Sequence, residues 1–120
     1  MDSKMMERAP SMQRCMDDCS MCMSMCMETM MTCMRQGGMT AEMMCLFEDC
    51  IDMCQMSMRC MMRMSPQCNK ICMMCAEMCL SCASMCEQMV GSNEMMMRCA
   101  EMCRRCAESC KMMDKASMAA

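Results

Sequence analysis

The sequence contains no histidine, and this absence limits both its catalytic and its metal chemistry. A nucleophilic cysteine usually needs an activating base such as histidine, and many zinc sites combine cysteine with histidine ligands. We therefore expect a protein that is not an enzyme and that has no mixed Cys/His zinc site.

Aromatic and branched aliphatic residues are almost as scarce, so the core is not built in the usual way. Phe47 is the only aromatic residue. Leucine, isoleucine and valine are limited to Leu46, Ile51, Ile71, Leu80 and Val90. The apolar share of 56% comes mostly from 19 cysteines and 33 methionines.

Neither sign of charge dominates, because 12 basic and 15 acidic residues give a net charge of −3. This balance gives no reason to expect a nucleic acid or an anionic membrane as a partner. Residues 1–8 lack the apolar run of a signal peptide, and no stretch approaches the roughly 18 uncharged apolar residues of a membrane span. We therefore expect a cytoplasmic protein with reduced thiols, which an odd number of cysteines also fits.

Three breaks interrupt a chain whose 120 residues suit a single domain over 1–120. The first is Gly37-Gly38. The second is Ser65-Pro66, where serine is the predicted N-cap and proline the first helical residue. The third covers 90–93, where a glycine ends one helix and a new N-cap begins the next.

The segments between these breaks predict an all-α protein. Thr40 is positioned to cap the second helix. Because short connections make neighbouring long helices antiparallel, we expect an up-down-up-down four-helix bundle with a cysteine-lined core. The predicted helices cover about 11–36, 41–64, 66–90 and 94–115, and the ends 1–10 and 116–120 are expected to be flexible.

Most cysteines recur at alternating spacings of four and three residues, which places them on one face of each helix. In the third helix they fall within an arc of about 80° at about 100° per residue, while charged residues lie on the opposite face. Two further candidates, Cys45 and Cys60, lie off this face by the same arithmetic. The predicted inward metal ligands are Cys15, Cys19, Cys22, Cys26, Cys33, Cys50, Cys54, Cys68, Cys72, Cys75, Cys79, Cys82, Cys86, Cys99, Cys103, Cys106 and Cys110.

Two simpler explanations for these cysteines fit less well. Cysteine can serve as a small buried hydrophobic residue, but a continuous register of this kind gives up core volume that leucine would fill. Disulfides between cysteines four residues apart on one helix are disfavoured, because the side-chain directions are poor for closure.

The thiol-rich face favours Cu(I) over other soft metals. Thiolate and thioether ligands select Cu(I), zinc and iron–sulfur clusters. A cuprous ion that replaces a thiol proton leaves the charge unchanged, whereas zinc on four thiolates accumulates negative charge that burial penalises. Iron–sulfur clusters are usually held by loop motifs that this sequence lacks. We therefore expect multiple Cu(I) ions.

These motifs resemble those of the four-helix-bundle copper storage proteins, the Csp type, and especially their cytosolic branch. A methionine content this high sets the chain apart from these relatives. Methionines stand at one mouth of the predicted bundle, where the first and third helices end and the second and fourth begin, whereas cytosolic relatives tend to have histidines there. The strongest similarity lies in Cys72-x-x-Cys75-Ala76-x-x-Cys79-x-x-Cys82-x-x-x-Cys86 and Cys99-Ala100-x-x-Cys103-x-x-Cys106-Ala107-Glu108-x-Cys110.

The resemblance implies a copper store whose bundle is folded without metal, with about one ion per inward cysteine and a homotetrameric assembly. A copper chaperone is one candidate donor of the metal. The predicted thioether ligands that assist uptake and release at the mouth are Met30, Met34, Met43, Met89, Met95 and Met96. Two alternatives stay open, a metallothionein-like zinc or cadmium buffer and an engineered structural bundle.

Overall fold

The computed structural model describes residues 8–89 and 93–119, with side chains over 8–89 and 93–113. Of the segments expected to be flexible, 1–7 and Ala120 lie outside the described residues, as does the predicted glycine helix end within 90–92. The described residues form four helices, α1 (Pro10–Gln36), α2 (Ala41–Met62), α3 (Cys68–Gln88) and α4 (Glu94–Ala119).

The four helices form a closed ring of neighbours. α1 packs against α2 and α4, and α3 packs against the same two helices. Within the described residues, no Cα atoms of the diagonal pairs lie within 8 Å of each other, so the diagonal helices meet only through side chains across the core. This arrangement confirms the antiparallel up-down-up-down bundle. We call the end that gathers the last turns of α1 and α3 and the first turns of α2 and α4 the mouth, and the opposite end the far end.

Side-chain caps begin two of the helices. The Thr40 hydroxyl accepts a hydrogen bond from the Met43 amide at 3.1 Å, which confirms the predicted cap of α2. The Asn93 side-chain oxygen accepts one from the Met96 amide at 2.9 Å at the start of α4. Each cap satisfies an amide that the helix leaves unpaired and contributes about 1 kcal/mol.

The connection between α2 and α3 differs from the prediction. α3 begins at Cys68 with no side-chain cap, so the expectation that Ser65 is its N-cap is wrong. The Ser65 hydroxyl instead accepts a hydrogen bond from the Gln67 amide at 3.1 Å. The serine therefore stabilises a turn before α3, and Pro66 lies in that turn rather than at the first helical position.

A Schellman motif ends α2 with an unusual residue at its left-handed position. The Met64 amide donates to the Met61 carbonyl at 3.1 Å, and the Ser65 amide donates to the Cys60 carbonyl at 3.0 Å. Met64 has a φ of 51°, a conformation that costs a non-glycine residue roughly 1–2 kcal/mol. The local hydrogen bonds and the tertiary packing of the helices offset this cost.

The core consists of one face of each helix, and most of its residues are cysteines. Every helix repeats its buried positions at alternating spacings of four and three, as the sequence predicted, and the cysteine-lined core is confirmed. Small alanines on α3 and α4 fill the spaces beside the cysteines. The larger apolar and uncharged polar side chains buried with them are Thr29, Met43, Phe47, Ser57, Met61, Met96, Met102, Ser109 and Met113.

One polar contact joins α1 to α4 beside this core. Asp18 is buried and receives a hydrogen bond from the Ser109 hydroxyl. The Arg105 guanidinium lies 3.3 Å from the other carboxylate oxygen of Asp18. Because a buried carboxylate is costly without partners, this contact holds α1 and α4 in one register and keeps the charge outside the thiol face.

We predict that Met64→Gly stabilises the metal-free protein. Glycine adopts the left-handed conformation without a Cβ penalty, so the free energy of unfolding should rise by about 1 kcal/mol. Chemical denaturation followed by far-UV circular dichroism measures this change. Met62→Gly is the control, since Met62 is an exposed residue of the last α2 turn, and there glycine should lower stability. A loss of stability in both variants would contradict the prediction.

Candidate metal centre

The structure buries nearly all of the predicted thiol ligands. Cys33 is half-buried and Cys45 is exposed, while the other predicted cysteines, including Cys60, are buried. All are free thiols. The position of Cys45 agrees with the helical arithmetic that placed it off the inward face. Cys60 was also placed to one side, but the chain turns sharply after α2 and covers it.

Twelve of these sulfurs form a continuous array along the bundle axis. In each of four groups, all Sγ atoms lie within 4.8 Å of one another, and adjacent groups share members. The two central groups are Cys22, Cys26, Cys50 and Cys103, and Cys22, Cys54, Cys79 and Cys106. The two far-end groups are Cys19, Cys75, Cys106 and Cys110, and Cys15, Cys72 and Cys110.

Thiol-to-thiol contacts cross between helices throughout the array. The Sγ atoms of Cys26 and Cys103 are 3.6 Å apart, and those of Cys26 and Cys99 are 3.7 Å apart. Cys50 donates to Cys79 at 3.7 Å. Each of the four groups therefore takes its sulfurs from three or four helices, and the fold itself holds them in place.

A separate pair of thiols lies at the far end. The Cys60 thiol donates to the Cys68 sulfur at 3.0 Å, and Cys68 donates to the Cys60 carbonyl at 3.2 Å. The turn that ends α2 and the first turn of α3 bring these two residues together. Two sulfurs are enough for near-linear coordination of a monovalent soft ion.

Methionine sulfur meets cysteine sulfur at the mouth. The Cys33 thiol donates to the Met96 sulfur at 3.5 Å. Met43 and Met96 are buried, whereas Met34 is 44% exposed. The other predicted mouth residues, Met30, Met89 and Met95, are half-buried. The thioethers thus extend from the surface to Cys33, at the mouth end of the cysteine-lined interior that we call the lumen.

A surface cavity adjoins the mouth between α2 and α3. It has a volume of about 680 Å³, and Met43, Met85 and Met89 are among its lining residues. Met43 also belongs to the buried core. Sequence reasoning missed Met85, because its position lies beside the inward face of α3 rather than on it.

Burial and mutual hydrogen bonding keep several thiols protonated in the metal-free protein. Desolvation and the neighbouring Cys60 thiol raise the pKa of Cys68 to about 11. Hydrogen bonding with Cys106 and Cys19 raises the pKa of Cys54, and burial acts in the same direction. Because a thiolate at one site disfavours ionisation at the next, the array cannot lose all its protons unless cations replace them.

The fold and the site together define a helical bundle whose interior can hold several soft metal ions. The family model of the copper storage proteins, Csp, matches residues 8–115. The chain therefore belongs to the copper storage protein family. No curated protein sequence matches it.

Solved structures share this fold. The Nmul_A1745 protein from Nitrosospira multiformis is 36% identical with a TM-score of 0.80, and the match covers 88% of this chain and 96% of that chain. Cu(I)-bound copper storage protein BsCsp3 is 26% identical with a TM-score of 0.79, covering 87% and 98%. The apo copper storage protein 3 from Bacillus subtilis is 27% identical with a TM-score of 0.76, covering 85% and 97%.

None of the helices in the described part of the chain combines the length and the hydrophobicity that a bilayer crossing requires.

We predict that the metal-free protein loses stability as the pH rises from about 9 to about 11, with a contribution from Cys68. In this window the thiol has ionised in the unfolded chain, where its pKa has the ordinary value of 9.0, but not in the folded protein, where its pKa is about 11. The free energy of unfolding therefore falls with pH. Denaturation at several pH values under reducing conditions measures the slope. In Cys68→Ala the slope should be shallower by about one proton. An unchanged slope would contradict the assignment.

Proposed function

We propose that this protein stores Cu(I) inside its bundle, with the buried thiols as ligands. The observation that carries the proposal is the continuous array of Sγ atoms. The Sγ atoms of each group lie within 4.8 Å of one another, and none of the four groups contains a carboxylate or a histidine. Such a ligand set selects soft ions and rejects magnesium and calcium. The family membership and the Cu(I)-bound relative support the same conclusion.

The charge of the array favours a monovalent ion over zinc. One Cu(I) replaces one thiol proton, so the buried charge stays constant while the lumen fills. Zinc on four thiolates would leave surplus negative charge in a core whose cysteines are almost fully excluded from water. The shared members of adjacent groups, such as Cys106 and Cys110, also suit bridging thiolates in a chain of ions rather than separate tetrahedral sites.

The proposed ligand set differs from the sequence prediction at one position. We leave out Cys45, because it is exposed and belongs to none of the sulfur groups. We retain Cys60, which forms a two-thiol site with Cys68 at the far end. The other predicted cysteines stay in the set, including Cys33, whose thiol donates to the Met96 sulfur at the mouth.

Methionines at the mouth assist copper uptake and release. Met96 contacts Cys33 through sulfur, and Met43 and Met89 line the adjoining cavity. A thioether binds Cu(I) without losing a proton and more weakly than a thiolate, so an ion moves inward toward stronger ligands. Met30, Met34 and Met95 complete this set near the surface.

The remaining features of the proposal concern the protein in the cell. It acts as a single-domain store over 1–120 and not as an enzyme, since the chain has no histidine to activate a thiol. It works in the cytoplasm, where thiols stay reduced, receives copper from a chaperone and assembles as a homotetramer. The family resemblance is the support for the last two features.

Anaerobic titration with Cu(I) against a high-affinity chromophoric chelator tests the function. We expect about one ion per inward cysteine, with a strongly helical circular dichroism spectrum before any metal is added. A metallothionein-like buffer would instead fold only around its metal. Saturation at a few ions, or a disordered metal-free protein, would contradict storage in a preformed bundle.

A matched pair of cysteine variants tests the proposed ligand set. Cys54→Ser removes a thiol from a central group and should lower the copper capacity by about one ion, because thiol and ion numbers are linked. Cys45→Ser removes an exposed thiol and should leave the capacity unchanged. Equal capacities in the two variants would show that the buried array is not the store.

A further inference from the structure

Ser57 is a fully buried hydroxyl without a hydrogen-bond partner. Its exposure is 0%, and its Oγ atom has no donor or acceptor within the described residues. Leaving such a group unpaired costs roughly 1–3 kcal/mol, and buried polar groups are nearly always paired. Thr29 is the other buried hydroxyl of the described helices without a partner, but it lines a surface cavity between α1 and α4.

Ser57 occupies a core position where the other helices supply cysteine. The buried face of α2 runs through Cys50, Cys54, Ser57 and Met61 at spacings of four, three and four. On α3 the same spacing continues in cysteine along the whole helix. Ser57 is therefore part of the lumen wall and not of the outer surface.

The far-end sulfur groups lack a thiol from α2. Both take their members from α1, α3 and α4 only, whereas both central groups include a cysteine of α2. Cys54 is the last α2 thiol in the array, and Cys75 of a far-end group donates to it at 3.9 Å. Ser57 follows Cys54 by one helical turn toward the far end, so it stands at the α2 corner of the far-end groups.

We propose that the Ser57 hydroxyl donates a hydrogen bond to the cuprous thiolates of the far-end groups and so strengthens copper binding there. This proposal rests on the proposed copper storage and adds a positioning residue that is not itself a sulfur ligand. In the metal-free protein the far-end groups consist of free thiols, which are weak acceptors. Copper binding converts them into thiolates, which are charged acceptors, and the hydroxyl then gains a partner.

The hydrogen bond matters most while the lumen is partly filled. A first ion that displaces one proton is held by one thiolate and by neighbouring neutral thiols, and that thiolate does not yet bridge to a second ion. A hydroxyl donor stabilises that thiolate without adding a charge of its own. Ser57 thus favours early occupation of the far end, away from the mouth.

The first experiment compares Ser57→Ala with Ser24→Ala, a matched control at a position of α1 outside the buried core. Chelator competition at low copper loading should show about tenfold weaker Cu(I) binding in Ser57→Ala, the loss expected for a hydrogen bond to a charged group. The control should bind as the wild-type protein does. The midpoint of unfolding of metal-free Ser57→Ala should rise, because an unpaired hydroxyl has been removed, while Ser24→Ala changes it less.

The second experiment uses Ser57→Cys to test whether the side chain at position 57 faces the lumen. A thiol there supplies the missing α2 ligand, so the copper capacity should rise by about one ion. Unchanged capacity would overturn the placement of Ser57 in the lumen, and unchanged affinity in Ser57→Ala would overturn the hydrogen bond. Neither result affects storage itself, which fails only if the wild-type protein does not load with copper.

Discussion

A buried thiol array can fill with metal only if its charge does not grow as it fills. The dry interior penalises every uncompensated charge, and coupled thiols resist ionisation. A monovalent ion that displaces one proton meets this condition at each step. Zinc bound by four thiolates does not, because four protons leave while only two positive charges enter. The absence of histidine and the near absence of aromatic residues are consistent with an interior given over to sulfur.

The rest of the fold keeps that interior open and in register without metal. Cysteine fills less volume than leucine, so the bundle relies on well-made helix ends and on contacts outside the lumen. Thr40 and Asn93 cap their helices, Asp18 bridges α1 and α4, and Arg104 pairs with Glu87 between α4 and α3. These charges remain outside the sulfur face, where they do not compete with the thiols for cations.

Much of the fold could be predicted because one periodicity encodes both the helices and the inward face. The spacing of four and three residues predicted the burial of Cys72 and Cys103 without tertiary information. Where the chain turns, periodicity carries no information. The burial of Cys60 depends on the turn after α2, and the cap role of Ser65 depends on which amide its hydroxyl reaches. Ser57 became a candidate only when the structure showed that its buried hydroxyl has no hydrogen-bond partner among the described residues.

Anomalous X-ray scattering at the copper edge, from a crystal loaded with a cuprous salt under nitrogen, tests the central claim most directly. We expect a row of copper peaks along the bundle axis, each within bonding distance of two or three cysteine sulfurs, with no carboxylate among the ligands. Copper confined to surface methionines around an empty lumen, or helices that separate to expose their thiols, would contradict storage at constant charge.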